Sequence, residues 1–431
     1  MNKFFKLEER GTTISKEFIA GLTTFLSMAY IIFVNPDILG ATGMDTGAVF
    51  TSTILAAVIG TLIMGLFANY PVALAPGMGM NAFFAFTVVL VMGFTWQQAL
   101  AGIFVSGILF MLLSITGVRE LIINSIPQTL KYAVGTGIGF FICFIGLQNA
   151  GIVVNNDSTL VGIGNFSDPN VLLAVIGLVI TLILLVRKVP AAIFFGMVAT
   201  AIIGLFMGVV ELPQQLVAEI PSLKPTFGAL FEALPSLFNK DMITVIFAFL
   251  FVDFFDTAGT LISVGSRAGL IDEKGHLIDG DKALLADSTA TVIGAVLGTS
   301  STTSYVESLT GVEAGGRTGL TSVFTALFFG LMLFFSPLLS VVTSAVTAPA
   351  LIAVGVLMAS SLGKIEWESL ETTVPAFVTI IIMLLGYSIA EGIAAGFLLF
   401  PIMMVSARRH KEVSPIMWFL AAVFLLHFFT K

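Results

Sequence analysis

Apolar runs of about twenty residues recur along almost the whole of this 431-residue chain, separated by short Gly, Pro or polar breaks. A helix needs about 20 mainly apolar residues to cross the hydrocarbon layer of a bilayer. Seven runs fall in the first half, near 17–35, 47–68, 71–92, 96–116, 128–149, 170–187 and 191–212. Seven follow in the second, near 242–264, 282–299, 300–315, 318–337, 345–362, 372–387 and 389–407, with an extra apolar tail at 413–430.

Composition closes off the other classes. Apolar residues make up 57% and charged residues 10%, against about 25% charged in a soluble domain, so the chain reads as a polytopic membrane protein. The single Cys143 excludes a disulfide scaffold, and 40 Phe exclude a disordered chain. A net charge of −7 argues against a nucleic-acid partner. With one Cys and three scattered His (His276, His410, His427), no zinc, haem, iron–sulfur site or other cofactor is expected. The opening MNKFFKLEERGTTISKEF mixes acids with bases and lacks a small-residue cleavage site, unlike a cleaved signal peptide.

Cytoplasmic loops retain positive charge. With the N-terminus inside, Lys3, Lys6, Arg10, Lys16, Arg119, Lys131, Arg187, Lys188, Arg267, Lys274, Lys282, Arg317, Lys364, Arg408, Arg409 and Lys411 all fall on the inner side, sixteen of the nineteen Lys and Arg. Lys224 and Lys240 fall outside, in the long 213–241 connection where the rule is weak, and Lys431 follows the tail.

An odd number of spans per half inverts one half relative to the other, an architecture common in secondary transporters. At an offset of 226, Phe25–Tyr30 (FLSMAY) falls on Phe251–Asp256 (FVDFFD), and Asn81 on Glu307. The third and tenth runs share an anomaly. Pro76, Gly77 and Gly79 interrupt the one, while Ser and Thr precede Tyr305 and Gly311, Gly315 and Gly316 follow it in the other. Unpaired backbone at membrane depth is tolerated only where it is buried in protein or lines a cavity, and broken helices there turn their N-terminal amides toward a ligand.

Acidic side chains within spans are costly and mark function. Asp253 and Asp256 lie three apart on one helical face, Asp287 sits in LLADSTATV, and Glu307 in TSYVESLTG. Their spans carry no basic residue in reach by sequence, which suits such carboxylates to take up and release a proton. Asp256 and Glu307 are the expected ligand residues and Asn81 the expected site amide. Asp253 is expected to couple protons or cap the broken helix, and Asp287 to support its neighbours through hydrogen bonds.

TTFLSMAYIIFVNP (Thr23–Pro36), ALAPGMGMNAFFAF (Ala73–Phe86), FVDFFDTAGT (Phe251–Thr260) and TTSYVESLTGVEAGGRTG (Thr302–Gly319) together resemble the nucleobase:cation symporter family, nucleobase-ascorbate transporter type, and within it the AzgA-like branch of guanine/hypoxanthine permeases. The resemblance covers about Phe4 to Arg409. It implies an all-α membrane fold of fourteen segments as two inverted seven-segment repeats, with segments 3 and 10 broken by short extended stretches. Residues 17–116 and 242–337 would form a core domain, 117–212 and 338–407 a gate domain, and 413–430 an added segment.

The implied function is import of a purine nucleobase by proton symport, with an elevator movement of the core in the cell membrane, an N-terminus in the cytoplasm and gate-domain dimers. By resemblance Glu307 pairs with the base edge, Asp256 is the eighth-segment acid, Asn81 the third-segment site asparagine, and Asp253 and Asp287 the added and ninth-segment aspartates. Where related branches carry Glu, Asp256 is one methylene shorter, so a water or Asp253 would complete its reach. An anion carrier of sulfate or bicarbonate type, a sodium-coupled nucleobase carrier, a membrane enzyme and a passive channel stay open as alternatives.

Overall fold

The computed structural model describes residues 2–116, 125–237, 240–272 and 276–430, with side chains throughout except at 240 and 426–430. Arg119, Lys274 and Lys431, placed above by sequence, lie outside the described residues.

After the short α1 (Asn2–Phe5), the first apolar run divides into α2 (Ile14–Met28) and α3 (Ile31–Gly40). α4 (Thr46–Ile63) is capped by Asp45, which accepts from the Ala48 amide at 2.7 Å, and continues as a π-helical turn to Ala68. The third run opens extended, as β1 (Leu74–Pro76), before α5 (Met78–Ala82) and its π-helical continuation to Val91. α6 (Trp96–Thr116) and α7 (Gln128–Asn149) follow, and α7 coincides with the run expected at 128–149. A hairpin of β2 (Val153–Asn156) and β3 (Leu160–Ile163) leads to α8 (Pro169–Val186) and α9 (Ala192–Met207). Asp168 caps α8, and the amide of Asn170 holds its carboxyl below the usual carboxylate range.

The second half begins with a single turn, α10 (Leu230–Ala233), and the long α11 (Lys240–Ala268) and α12 (Gly280–Leu297). The tenth run gives only three extended residues, β4 (Thr302–Ser304), and the six-residue α13 (Ser308–Glu313). α14 (Gly319–Leu331) stops short of the expected 337 as an α-helix. It tightens to 3-10 geometry over Met332–Val341, where Pro337 lacks the N–H an α-helix would use. α15 (Ser344–Ala359), α16 (Leu370–Leu385), α17 (Ile389–Ser406) and α18 (Pro415–Thr430) complete the chain. Among the described residues nine helices or joined helix pairs are long and apolar enough to cross a bilayer, accompanied by the shorter apolar helices Met78–Val91, Ala192–Met207, Leu370–Leu385 and Pro415–Leu425.

Helix packing falls into two groups. α12 packs on α6 and α4, α14 on α2 and α4, and α13 on α2; α7 packs on α15 and α16, α8 on α9 and α15, and α17 on α16 and α18. Small residues set these approaches, as expected where lipid supplies no hydrophobic drive between helices. α7 and α15 cross at Gly139 and Gly355, where a Cβ on Gly355 would stand 2.6 Å from the Gly139 carbonyl oxygen.

The two broken segments meet at the centre. β1 and β4 pair antiparallel, with Leu74 opposite Ser304, Ala75 opposite Thr303 and Pro76 opposite Thr302. The ladder is extended by the Gly77 amide on the Ser301 carbonyl (2.9 Å) and the Tyr305 amide on the Ala73 carbonyl (3.0 Å). The four paired and flanking backbone groups are thereby satisfied inside the protein, as bilayer depth demands.

Candidate functional site

The five side chains singled out from sequence gather around this strand pair, and they divide into two layers. Asp253, Asp287 and Asn81 lie behind the strands, with at most 1% of their surface exposed. Asp256 is exposed and Glu307 partly so.

The buried aspartates hold β4 in place. Asp253 accepts from the Ser301 hydroxyl at 2.7 Å and the Thr291 hydroxyl at 3.0 Å. The Thr291 hydroxyl also lies 3.0 Å from the Thr302 carbonyl, so the carboxylate, α12 and β4 share one polar cluster. Asp287 accepts three hydrogen bonds, from the Ser304 amide (2.7 Å), the Ser304 hydroxyl (2.6 Å) and the Thr257 hydroxyl (2.7 Å). Thr257 in turn lies 2.8 Å from the Thr303 hydroxyl. A carboxylate buried without a cation needs such donors to offset its lost hydration. On the other strand, Asn81 follows the turn at Gly77 and accepts from the Ser300 hydroxyl, while its amide nitrogen has no hydrogen-bond partner among the described residues.

Glu307 and Asp256 form the accessible layer. Glu307 directly precedes α13 and accepts from the Tyr30 hydroxyl at 2.8 Å through one oxygen. Asp256 makes no hydrogen bond among the described residues and lies within electrostatic reach of Asp253 and Glu307. Tyr305, buried beside the strands, donates to the Pro76 carbonyl at 2.5 Å. Opposite stands α7, whose Ile138 touches the segment at Gly79 and whose Lys131 ammonium sits 5.9 Å from the ring centre of Phe255.

Below Asp256, the exposed face of α11 runs through Gly259 and Ser263 to Arg267. It ends at a cavity of about 650 Å³ lined by Ile262, Ser263, Ser266, Arg267, Leu309 and Glu313, with the Arg267–Glu313 ion pair (3.3 Å) across it. Both exposed members of that pair are solvated, so it adds little stability. Among the described residues no group of three His, Cys, Asp or Glu is arranged to hold a metal ion.

Sequence reasoning missed Tyr30 and the hydroxyl set Thr257, Thr291, Ser301 and Ser304. Tyr30 lies inside the FLSMAY string, where a hydroxyl within an apolar run, shared with Thr23, Thr24 and Ser27, does not mark it out. The Ser and Thr before Tyr305 were noted as a break in the helix, not as partners for buried carboxylates.

The profile described as the Permease family matches residues 15–395. The guanine/hypoxanthine permease PbuG of Bacillus subtilis (strain 168) is 56% identical over 437 residues, covering 99% of this chain and 99% of that protein. The adenine permease AdeP of Escherichia coli (strain K12) is 47% identical over 426 residues, covering 99% of this chain and 95% of that protein. Among solved structures, the transmembrane domain of the cyanobacterial bicarbonate transporter BicA superposes with a TM-score of 0.65 over 89% of this chain and 97% of that one, at 16% identity. That likeness concerns the fold alone.

Proposed function

From the premise that this chain belongs to the Permease family, we propose that it imports a purine nucleobase by proton symport, with Glu307 and Asp256 as the groups that hold the base. The relatives named as guanine/hypoxanthine and adenine permeases support the substrate class, and they are transporters, not enzymes. The observation that carries the reading is the pair of accessible carboxylates beside a strand pair, one with an oxygen already occupied by Tyr30 and the other with no partner among the described residues.

Purine rings present alternating N–H donors and acceptors along their edges. An ionised carboxylate only accepts, so the free oxygen of Glu307 and both oxygens of Asp256 suit ring N–H groups. Planarity then lets the base lie against Tyr305 and the β1–β4 backbone. The same carboxylates would repel an anion, and this disfavours a carrier of bicarbonate type on the same fold.

Proton coupling follows from Asp253. Both of its oxygens take hydroxyl hydrogen bonds from groups on or beside β4. Protonation removes one acceptor and adds a donor, so it changes how the strand and the ligand carboxylates are held. We assign α2–α6 and α11–α14 to a moving core and α7–α9 with α15–α17 to a gate, the division that the two packing groups support. The positive-inside pattern supports a cytoplasmic N-terminus. The cavity at Arg267 and Glu313 then opens to the cytoplasm, and the site faces inward.

The test is uptake of labelled hypoxanthine into proteoliposomes under an inside-alkaline pH gradient, with guanine, adenine, uracil and sulfate as competitors. Accumulation that guanine blocks and the pH gradient drives is expected. Uptake blocked by sulfate, or driven only by a sodium gradient, would overturn the substrate or the coupling ion.

A further inference from the structure

We infer that Glu17, remote from the ligand carboxylates and on the first turn of α2, is the positioning residue that sets where Glu307 stands. The inference rests on the reading of Glu307 as a substrate ligand.

Glu17 is fully buried. One of its oxygens accepts from the Arg317 amide at 2.9 Å. The other accepts from the Thr318 hydroxyl (2.9 Å), the Thr321 amide (3.0 Å) and the Thr321 hydroxyl (2.6 Å). All four donors belong to the junction between α13 and α14. Two are backbone amides: that of Arg317, two residues before α14, and that of Thr321 in its first turn, which is shared with the Thr318 carbonyl at 3.2 Å.

Arg317 carries the restraint back to α13. Its guanidinium donates to the Val312 carbonyl in the last turn of that helix, at 2.6 Å, and to the Gly316 carbonyl in the connection after it, at 2.7 Å. The junction needs Gly315, whose φ of +109° lies where side chains are strained. A six-residue helix moves as one rigid unit, and Glu307 is the residue immediately before it.

The far end of α13 is tied to the same helix α2. The Ser27 and Thr310 hydroxyls lie 2.9 Å apart, and Tyr30 donates to Glu307 at 2.8 Å. Between the two ties the backbones approach so closely that a Cβ on Gly311 would stand 2.7 Å from the Ala20 carbonyl oxygen. α13 is therefore strapped along α2, with Glu17 at one end and Tyr30, two residues past the end of α2, at the other. Glu17 holds the C-terminal end of this strap, while Tyr30, the Ser27–Thr310 contact and the Ala73 amide on the Ser308 hydroxyl (3.0 Å) hold the end next to Glu307.

The chemistry requires a carboxylate. Four donors face Glu17, and an acceptor-only group meets all of them. In Glu17→Gln the amide nitrogen would oppose donors, and the α13–α14 junction would have to shift.

The test compares hypoxanthine KM and Vmax in proteoliposomes for the unaltered protein, Glu17→Gln, Glu17→Asp and Glu307→Gln, with melting temperature measured on each purified protein. Glu17→Gln is expected to raise KM about tenfold or more while Vmax per folded transporter changes much less, and Glu17→Asp, which keeps the charge, is expected to recover part of the loss. A lower melting temperature or yield with KM unchanged would overturn the positioning role and leave Glu17 a scaffold residue. If Glu17→Gln does not reach the membrane, Thr321→Val removes one donor to the same oxygen, and its KM decides in the same way. Glu307→Gln separates the two claims: an unchanged KM there overturns the ligand reading itself, whereas a raised KM there with an unaffected Glu17→Gln overturns only the positioning.

Discussion

Tyr30 and Glu307 are 277 residues apart in sequence, yet the tyrosine hydroxyl donates to one carboxylate oxygen at 2.8 Å. The bond restrains the carboxylate through that one oxygen. One of the two carboxylate oxygens of Glu307 is thus engaged within the protein itself.

Tyr30→Phe removes that bond and little else, since the ring stays buried. A hydrogen bond to a charged group contributes about 1.5–3 kcal/mol. Purine affinity is therefore expected to fall by about 10- to 150-fold, read as KM for hypoxanthine uptake or as Kd by calorimetry. An unchanged affinity would remove Tyr30 from the site.

Asp253→Asn keeps the size of the side chain and one acceptor for Ser301 or Thr291, but cannot ionise. Accumulation driven by a pH gradient is expected to disappear, while exchange of labelled for unlabelled hypoxanthine across the membrane persists. Retention of pH-driven accumulation in this variant would exclude Asp253 as the proton carrier.

Asp287 takes three hydrogen bonds from β4 and α11. An asparagine there turns one acceptor into a donor facing a donor, and a buried polar group left unsatisfied costs about 1–3 kcal/mol. Asp287→Asn is expected to lower the melting temperature in detergent, and the added change Thr257→Val should then cost less than it does alone. Additive losses in that double-mutant cycle would show that the pair is uncoupled.

The cap of α8 gives a pH dependence. Asp168 has its carboxyl held below the ordinary range by the Asn170 amide. A depressed folded-state pKa contributes stability above the unfolded value, near 3.9, that is lost as pH falls through the folded one. The melting-temperature gap between the unaltered protein and Asp168→Ala is expected to be present at pH 6 and to close toward pH 3. A gap of the same size at both pH values would contradict the assignment.

The class of fold was legible, and the acidic residues of the candidate site stood out, because both rest on local signals. A bilayer-length apolar run such as 128–149 announces itself by length alone, and Asp253, Asp256, Asp287 and Glu307 stand out because charge is rare in such runs. What stayed hidden depends on partners far along the chain. Glu17 reads as one more charge before the first apolar run, and only the fold brings it against Thr318 and Thr321, 301 and 304 residues away. Tyr30 and Ser301 are ordinary letters until the backbone places carboxylates beside them. The 3-10 stretch over Met332–Val341 shows the converse limit, since hydropathy continues through Pro337 while α-helical hydrogen bonding does not.

The strand pair at the centre also dictates an order of assembly. The Ala73 carbonyl and the Gly77 amide find their partners on Tyr305 and Ser301, residues that leave the ribosome more than two hundred positions later. Until then the first half sits in the membrane with open backbone groups at its third segment, exposed to quality-control proteases and insertion chaperones. Closure of this small ladder needs both halves of the chain, so it waits for the synthesis of Ser301 and Tyr305. Lesions at Thr302 or Pro76 are therefore expected to appear first as failed biogenesis, with turnover of a nearly full-length chain.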